Sequence, residues 1–447
     1  MLIFDTIISL CTPPLKSSIC VIRLTGKDAF NILGKIVTKD ISKLEPRYMY
    51  YCSFYKDKND KSTLIDKSMF TIFKGKESFC GEDTVEFYLH GSMLIATELI
   101  QTCIKYGARQ AQGGEFTAKA YYNGKLDLTE AEAVNQLINA RTERSKNFAL
   151  KTLDGNASKQ LKQIKEKLNM LEAEIEVNID YPEFDEDNTL INKVKKDLPI
   201  IIQESKKLAS NSKQSLYLFN GVKVALVGQP NVGKSTLLNK VLGFDKAIVT
   251  NIPGTTRDIV EGEKEVNGII YKFFDTAGIR EIDNQIEQIG IQKSYQTCKE
   301  ADIVLVLSDQ ENPKEELENL DLKDAVKNKP IIFVSTKKDI NGVNKNSDIS
   351  ISKDDSNLDE LFNLINSKLQ INNKSDEGFT SERELEILNK FVDTLESIIE
   401  DINLDFTIDI IEIKLVEAST ILDSLLNVNS SMEDIYSTIF KHFCVGK

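Results

Sequence analysis

Residues 222–241 read VKVALVGQPNVGKSTLLNKV, and this stretch decides the fold of the middle of the chain. It opens with a compact apolar run, Val222–Val227, continues through a glycine-rich loop and ends in a segment with helical spacing of apolar residues. A strand, a G-x-x-x-x-G-K-S loop and a helix in this order are typical of phosphate-binding loops. The stretch therefore predicts a doubly wound α/β domain that binds a nucleotide at the end of this strand.

The loop offers several kinds of group to a nucleoside triphosphate. Its glycines allow consecutive backbone N–H groups to point into one concavity, and the start of the next helix adds partial positive charge. Lys234 is placed to reach the β- and γ-phosphates, and the Ser235 hydroxyl is placed to ligate magnesium. The predicted nucleotide contacts in the loop are Asn231, Val232, Gly233, Lys234, Ser235 and Thr236.

Two further motifs supply groups for the metal and the γ-phosphate. Asp275-Thr276-Ala277-Gly278 follows the apolar run 271–274. Asp275 can hold the metal through water, and the Gly278 amide can meet the γ-phosphate. Thr255-Thr256, within a Gly-Thr-Thr-Arg-Asp stretch, supplies a threonine for the same metal.

The motif Thr336-Lys337-Lys338-Asp339, which follows the apolar run 331–334, predicts which base binds. The Asp339 carboxylate can accept hydrogen bonds from both N1–H and N2–H of guanine. Adenine lacks both donors and would leave the carboxylate unpaired. The sequence therefore predicts binding of GTP.

Ile279 stands after Asp-Thr-Ala-Gly, where Ras-like enzymes carry the glutamine that orients water. Hydrolysis must therefore recruit another group. Arg257 and Arg280 are candidates for stabilising charge, although arginines beside switch segments more often lie at the surface or position phosphate.

Patterning divides the chain into four segments. Residues 1–120 alternate short β-like runs with helical patterns, residues 121–218 and 373–447 are helical, and residues 219–372 hold the α/β domain. Within the second segment, Thr129-x-x-Glu132 predicts a capping box that opens a helix. We therefore expect a multidomain α+β and α/β protein: an N-terminal α+β domain, a discontinuous helical domain and an inserted P-loop GTPase domain.

The composition is that of a globular protein, with 28% charged residues in 447 and a net charge of −13. The first 120 residues are slightly basic and the remainder is acidic. A polyanion such as tRNA would need a local basic surface, either in the N-terminal region or in the stretch 141–167, unless those lysines only face solvent.

No apolar run is long enough to span a bilayer, and the opening residues lack the basic flank of a signal peptide. A cytoplasmic protein without a membrane partner is expected. Seven scattered cysteines, an odd number, argue against both a disulfide framework and a zinc site.

Five stretches of the chain together resemble the MnmE (TrmE) family of tRNA-modification GTPases. They are DTIISLCTPP (5–14), GEDTVEFYLHG (81–91), GEFTAKAYYNGKLDLTEAEAV (114–134), the phosphate-loop domain and the terminal FCVGK (443–447). The resemblance implies a homodimer formed through the N-terminal domain and a heterotetramer with the FAD-dependent protein MnmG. It also implies addition of a carboxymethylaminomethyl-type group to C5 of the wobble uridine, position 34, of certain tRNAs.

The resemblance also implies that the reaction uses a one-carbon unit from a tetrahydrofolate derivative, either 5-formyl- or methylene-tetrahydrofolate. By motif, the folate contacts are Arg23 in VIRLTG, Glu82 in GED, Lys125 in NGKLDL and the terminal Lys447. Cations can meet the glutamate tail of folate, and a carboxylate can hold the amide and amine edge of the pterin. Cys444 matches the family's terminal cysteine, which is either catalytic or simply packed.

The resemblance further implies that potassium stabilises charge when two G domains meet. Asn231 would ligate potassium together with Thr250, Ile252 and Thr255, while Ser235 and Thr256 would hold magnesium. Glu287 in NQIEQIG would orient water. Nucleotide contacts implied in the switch segments are Thr250, Asn251, Ile252, Pro253, Gly254, Thr255, Thr256, Asp275, Thr276, Ala277 and Gly278, and those in the base motif are Thr336, Lys337 and Asp339.

The chain departs from the family pattern in four places. Leu15-Lys16-Ser17-Ser18 replaces a glycine-rich turn beside the expected folate pocket, and Gly113 replaces a proline. Thr336 replaces the usual asparagine, which we expect to weaken nucleotide binding by about 1 kcal/mol, one typical hydrogen bond. The second guanine loop is reduced to an ambiguous Ser350-Ile351-Ser352-Lys353.

Two other functions stay open at this point. A GTP switch acting in ribosome assembly would need neither the terminal Cys-Val-Gly-Lys nor the folate-like module. A folate-binding scaffold with a degenerate G domain is favoured only by the departures at Thr336 and Ser350.

We predict that Glu287→Ala separates hydrolysis from binding. Because Ile279 cannot orient water, the carboxylate should act mainly in the transition state. Turnover should fall by about 10²-fold or more, the scale of a lost general base, with GTP affinity within roughly a factor of three. Single-turnover hydrolysis measured beside equilibrium binding checks this. Unchanged hydrolysis would make Glu287 a solvated surface residue, and a matching loss of binding would make it structural.

Overall fold

The structure, a computed structural model, describes most of the chain in several ranges. The described residues are 5–181, 189–243, 262–275, 294–319, 322–352, 358–371, 378–404, 406–426, 439–440, 443 and 446. The chain divides into two compact units. One comprises Met1–Ile138, Leu150–Lys206 and Arg383–Lys447, and the other Asn139–Ala149 and Lys207–Glu382. The four segments read from the sequence stay a prediction.

The first unit contains a six-stranded sheet in the order β3-β4-β5-β2-β1-β6. Its neighbouring strands are antiparallel, except for the parallel pair β1 and β6. The strands are β1 (Ile7–Leu10), β2 (Ile19–Thr25), β3 (Tyr50–Tyr55), β4 (Leu64–Phe73), β5 (Thr84–His90) and β6 (Arg109–Gln110). Helices α1 (Ala29–Ile36) and α2 (Met93–Lys105) share one core with the apolar side chains of one sheet face, among them Ile22, Phe54 and Phe87.

Helices make up the rest of the first unit. They are α3 (Glu115–Tyr122), α4 (Leu128–Asn139), α5 (Glu143–Leu153), α6 (Asn156–Asp180), α7 (Thr189–Asn220), α13 (Glu382–Asn403) and α14 (Ile408–Leu426), of which α4, α5, α7 and α13 extend into the second unit. Helix α6 packs along α14. The residues of α6 that recur every three or four positions, from Leu161 to Ile175, are buried as an amphipathic helix requires.

The capping box of α4 forms two residues earlier in the chain than the sequence predicted. Helix α4 begins at Leu128, and the reciprocal bonds run between Asp127 and Glu130: the Glu130 N–H donates to the Asp127 carboxylate at 2.9 Å, and the Asp127 N–H to Glu130 at 2.8 Å. Thr129 is buried inside the helix, and Glu132 instead accepts from Arg383 Nε at 2.9 Å. Aspartate and threonine both favour the capping position, and packing of Thr129 decides between them.

The second unit is a six-stranded sheet in the order β12-β11-β10-β7-β9-β8, parallel except for the edge pair β8 and β9. The strands are β7 (Val222–Val227), β8 (Gly262–Val266), β9 (Ile269–Asp275), β10 (Ile303–Ser308), β11 (Ile331–Ser335) and β12 (Ile349–Ser350). The described helices after β7 are α8 (Lys234–Leu242), α9 (Glu315–Asn319), α10 (Lys323–Val326), α11 (Lys338–Asn341) and α12 (Asp359–Lys368). Separate apolar clusters contain alternate residues of the central strands, as a doubly wound sheet covered on both faces requires. The predicted fold class is confirmed.

The end of α4 and the start of α5 belong to this second unit. Phe148 stacks edge-on against Phe219 with ring centres 5.9 Å apart, and Thr142 Oγ1 donates to the Gly268 carbonyl at 2.9 Å. Among the helices described, none combines the length and apolar character needed to cross a bilayer.

Candidate functional site

The C-terminal ends of β7, β9, β10 and β11 meet at one edge of the sheet, because these strands run parallel. Open α/β sheets bind ligands at this edge. The loop after β7 approaches β10 so closely that a Cβ on Gly228 would lie 2.4 Å from the Leu307 carbonyl oxygen. Gly233 precedes α8 in a left-handed conformation, with a φ of 102°. Glycine is therefore required at both positions.

Lys234 is the buried cation of this loop. Its ammonium donates to the carbonyls of Gly228 and Gln229 at 2.5 and 2.9 Å. Burial lowers the pKa of Lys234, while the carboxylates of Asp275 and Glu316 oppose that change. The cation is thus held at the start of α8 beside the exposed Ser235, where a phosphate would meet both groups.

Glu316 was missed by the sequence analysis. It is 1% exposed, and its Oε1 accepts the backbone N–H of Gln229 at 2.7 Å. The carboxylate therefore fixes the backbone of the phosphate loop. It lies in an acidic stretch with no motif, so no local pattern distinguished it from its solvated neighbours.

A cavity of about 250 Å³ lies beside the phosphate loop. It brings together residues of the loop, of α8 and of the ends of β11 and β12. The lining residues are Asn231, Val232, Gly233, Thr236, Leu237, Lys240, Val334, Thr336, Lys337, Asp339, Ile340, Ile351 and Ser352. The base motif and part of the phosphate loop thus line one cavity, whereas Lys234 and Ser235 are not among its lining residues.

The Thr336 hydroxyl donates to the Ser308 carbonyl at 3.4 Å, so the side chain bonds within its own sheet. Lys337 has a left-handed backbone, with a φ of 57°, and its ammonium lies 2.5 Å from the Asp309 carboxylate. The structure defines part of the second guanine loop, which the sequence left ambiguous: Ile351 and Ser352 line the cavity. Ser350 instead belongs to β12 and accepts the Asn344 N–H at 3.0 Å.

Several predicted residues lie outside the described residues. These are Thr250, Asn251, Ile252, Pro253, Gly254, Thr255, Thr256, Thr276, Ala277, Gly278 and Glu287, together with Ile279, Arg257, Arg280, Lys353, Cys444 and Lys447. Their roles remain predictions.

Arg23 forms the centre of a second charged site, in the N-terminal sheet. Its Nε and Nη2 bind Glu86 at 2.9 and 2.8 Å, across the β2–β5 pair. The rings of Phe79 and Phe116 lie 5.3 and 5.4 Å from the guanidinium, close enough for cation–π contact. Nη1 is buried and has no hydrogen-bond partner in the described chain. Burial raises the pKa of Cys80 to about 12, so this nearby thiol stays neutral and does not offset the charge.

Glu82 and Lys125 lie on the segments that adjoin this site. Glu82 accepts from Lys119 Nζ at 2.8 Å and from Asn123 Nδ2 at 3.4 Å. Lys119, which the sequence analysis missed, has a side chain only 3% exposed. Lys125 Nζ donates to the Lys76 carbonyl at 2.8 Å. A Cβ on Gly81 would lie 3.3 Å from Lys125 Cγ, so the segments carrying Glu82 and Lys125 touch.

Tight backbone contacts occur at the end of β1 and in the loop before β2. A Cβ on Gly446 would lie 2.6 Å from the Leu10 carbonyl oxygen, which places the residue before Lys447 against the end of β1. In the loop that replaces the glycine-rich turn, Ser17 N–H donates to the Gly91 carbonyl at 3.1 Å. None of the four residues 15–18 has a positive φ, so the turn forms without glycine.

The basic stretch 141–167 is partly neutralised. Arg141 binds Glu263 through both terminal nitrogens, Lys167 Nζ lies 2.6 Å from Glu204, and Lys165 pairs with Asp423. These pairs reduce the positive charge available to a nucleic acid along the stretch.

Two family models match the chain. One, described as the GTP-binding protein TrmE N-terminus, matches residues 6–125, and the MnmE helical domain model matches residues 128–444. The tRNA modification GTPase MnmE of Fervidobacterium nodosum is 36% identical over 456 residues, covering 99% of this chain and 98% of that protein. The MnmE proteins of Enterococcus faecalis and Streptococcus pneumoniae are 33% and 34% identical, with 99% of this chain and 98% and 99% of those proteins covered.

Among solved structures, Era in complex with MgGDPNP and nucleotides 1506–1542 of 16S ribosomal RNA is 34% identical over 34% of this chain and 56% of that chain. The TM-score is 0.26. The family assignment rests on the sequence relatives and the two family models.

We predict that Asp339→Asn changes the preferred base from guanine toward xanthine. The amide of asparagine can donate to the C2 oxygen of xanthine, whereas it no longer accepts from both guanine donors. Competition between GTP and xanthosine triphosphate for the purified protein measures the preference, with Asp348→Asn as a control on the same unit. A variant that keeps its full preference for GTP would show that the end of β11 does not read the base.

Proposed function

The chain belongs to the MnmE family of tRNA modification GTPases, and we propose that it is the GTP-hydrolysing partner of the FAD-dependent protein MnmG in a cytoplasmic heterotetramer. Together the two proteins add a carboxymethylaminomethyl-type group to C5 of the wobble uridine, position 34, of certain tRNAs. The observation that carries the proposal is the presence of two separate charged sites on one chain, one built for a nucleotide and one around Arg23.

The nucleotide site suits GTP with magnesium. Lys234 offers a buried cation to the β- and γ-phosphates, and Asp339 offers a carboxylate to the guanine donors. Ser235 and Asp275 are oxygen donors of the kind that magnesium prefers, and both lie at the carboxyl edge of the sheet. Magnesium supplies, when bound, neutralisation of the charge on these phosphates.

Asn231 supports a role for potassium at the same loop. It has a left-handed backbone, with a φ of 66°, and an exposed side chain at the wall of the cavity. Its amide oxygen is a ligand type that potassium accepts. We propose that Thr250, Ile252 and Thr255 complete the ligand set and that Glu287 orients the attacking water.

The Arg23 site suits an anionic or strongly accepting ligand such as a tetrahydrofolate derivative. Among the described residues, Nη1 of Arg23 is a buried donor without a partner, which is costly unless a ligand accepts from it. Glu82, held by Lys119, offers a carboxylate for a pterin edge, while Lys125 and Lys447 offer cations for the glutamate tail. The folate supplies, when bound, the one-carbon unit.

An exposed face of the N-terminal sheet is the surface that we assign to homodimer formation. Tyr51, Met69, Tyr88 and Val21 are successive partners across β3, β4, β5 and β2. Tyr51 and Met69 are 67% and 37% exposed. An apolar row of this kind on a sheet is typical of a protein contact, and a twofold dimer would cover it with the same row of a second copy.

We predict that GTP hydrolysis depends on the identity of the monovalent cation. Because Ile279, which follows Asp-Thr-Ala-Gly, cannot orient water as the glutamine of Ras-like enzymes does, potassium should raise the rate by about 10²-fold over sodium, the scale of one electrostatic group in the transition state. The measurement is turnover at equal ionic strength, with Asn231→Ala expected to lose the difference. Equal rates in the two salts would contradict the potassium assignment.

We also predict that Arg23→Gln abolishes tRNA modification while GTP hydrolysis by the purified protein is retained. The substitution removes the buried cation without touching the nucleotide site. Mass spectrometry of wobble nucleosides, from cells whose own copy is replaced by the variant, measures the effect. Arg47→Gln is the matched control, because Arg47 lies in the same domain with its side chain 62% exposed. Normal modification with Arg23→Gln would show that this site does not serve the reaction.

A further inference from the structure

Lys240 lies near the C-terminal end of α8, a turn and a half beyond the phosphate-loop lysine, and lines the base cavity. Its ammonium donates to the Ser352 carbonyl at 3.1 Å. Ser352 lines the same cavity. One hydrogen bond therefore connects the helix that follows the phosphate loop with the loop that follows β12.

The Lys240–Ser352 hydrogen bond forms just beyond the last residue of that loop that is fixed by backbone hydrogen bonds. Ile351 is fixed on both sides, since its N–H donates to the Ser335 carbonyl at 2.8 Å and its carbonyl accepts from the Lys338 N–H at 3.2 Å. Ser352 is the next residue, beyond the last strand of the sheet. Lys240 extends the support of the loop by one peptide, at the point where the loop faces the cavity.

Guanine needs donors on the edge opposite to the one that Asp339 can read. Asp339 accepts from N1–H and N2–H, whereas O6 and N7 of the base are acceptors. Two nearby donors of the lining are already directed to the protein itself, because the Thr336 hydroxyl bonds to Ser308 and the Lys337 ammonium to Asp309. The Lys240–Ser352 hydrogen bond lies in the same cavity lining.

We propose that Lys240 is a positioning residue for base recognition: by holding the Ser352 carbonyl, it fixes the cavity wall that meets the O6 edge of guanine. The inference rests on the nucleotide site of the proposed function and adds a determinant of base specificity to it.

Lys240→Met tests the proposal because methionine keeps the length and apolar character of the side chain but has no donor. The probes are GTP and 6-thio-GTP, which carry the same N1–H and N2–H donors and differ only in the acceptor at position 6. Sulfur accepts hydrogen bonds more weakly than oxygen. Affinity for GTP should fall by up to about tenfold, because a wall that is no longer held loses part or all of one hydrogen bond to O6, and affinity for 6-thio-GTP by less than about threefold on the same reasoning.

The preference for GTP over 6-thio-GTP should therefore shrink, and Lys240→Arg, which restores a donor, should recover most of it. Lys329→Met is the matched control: Lys329 Nζ donates to the Ala301 carbonyl at 2.7 Å, an equivalent bond near the start of β10. This control should lower the melting temperature about as much as Lys240→Met does, without changing the preference for GTP over 6-thio-GTP.

An equal loss of affinity for both nucleotides in Lys240→Met would show that the residue acts only on stability, and no loss would show that it does not support the wall. Either result overturns the inference while leaving the nucleotide site in place. A wild-type protein that fails to prefer GTP over ATP would instead overturn the proposed base site itself.

Discussion

The parallel pairing of β7 with β9 on one side and β10 on the other is the constraint on which the nucleotide site depends. Val224 is level with Phe273 and Ile303, so the three strands end within about three residues of one another. The phosphate loop, Asp275 and the base motif after β11 are brought to one edge by this register. A shift of one strand by a single residue would turn its buried face toward the wrong layer, so packing on both faces of the sheet protects the geometry of the site.

Both sites also share a way of holding charge. Lys234, Arg23 and Lys119 are basic side chains kept largely from solvent, and each donates to an acceptor that the backbone or a neighbouring carboxylate provides. A buried cation is costly by itself, so its surroundings must be arranged in advance. The same arrangement gives an incoming anion a strong and oriented partner, since little water has to be displaced and the donors cannot turn away.

Local chemistry could be read from the sequence, whereas long-range register could not. The strand, loop and helix around Lys234 were predicted because phosphate binding requires a fixed short spacing. The partner of Arg23 was not predicted, because Glu86 is brought opposite to it only by the pairing of β2 with β5. The capping box was misplaced because Asp127 and Thr129 are both competent caps. The loop 350–353 was ambiguous because its position follows from the bond of Ile351 to β11, which no local pattern encodes.

The order of segments along the chain has a consequence for synthesis on the ribosome. The second unit is complete once Glu382 has emerged, whereas the first unit, although it begins at the N-terminus, still lacks Arg383–Lys447. At a synthesis rate of about 5–20 residues per second, the apolar side of α6 that α14 covers waits roughly 10–50 seconds for its partner. The inserted unit can therefore fold first. During that interval the apolar side of α6 in the discontinuous unit stays exposed, and chaperones or a second nascent copy can bind it.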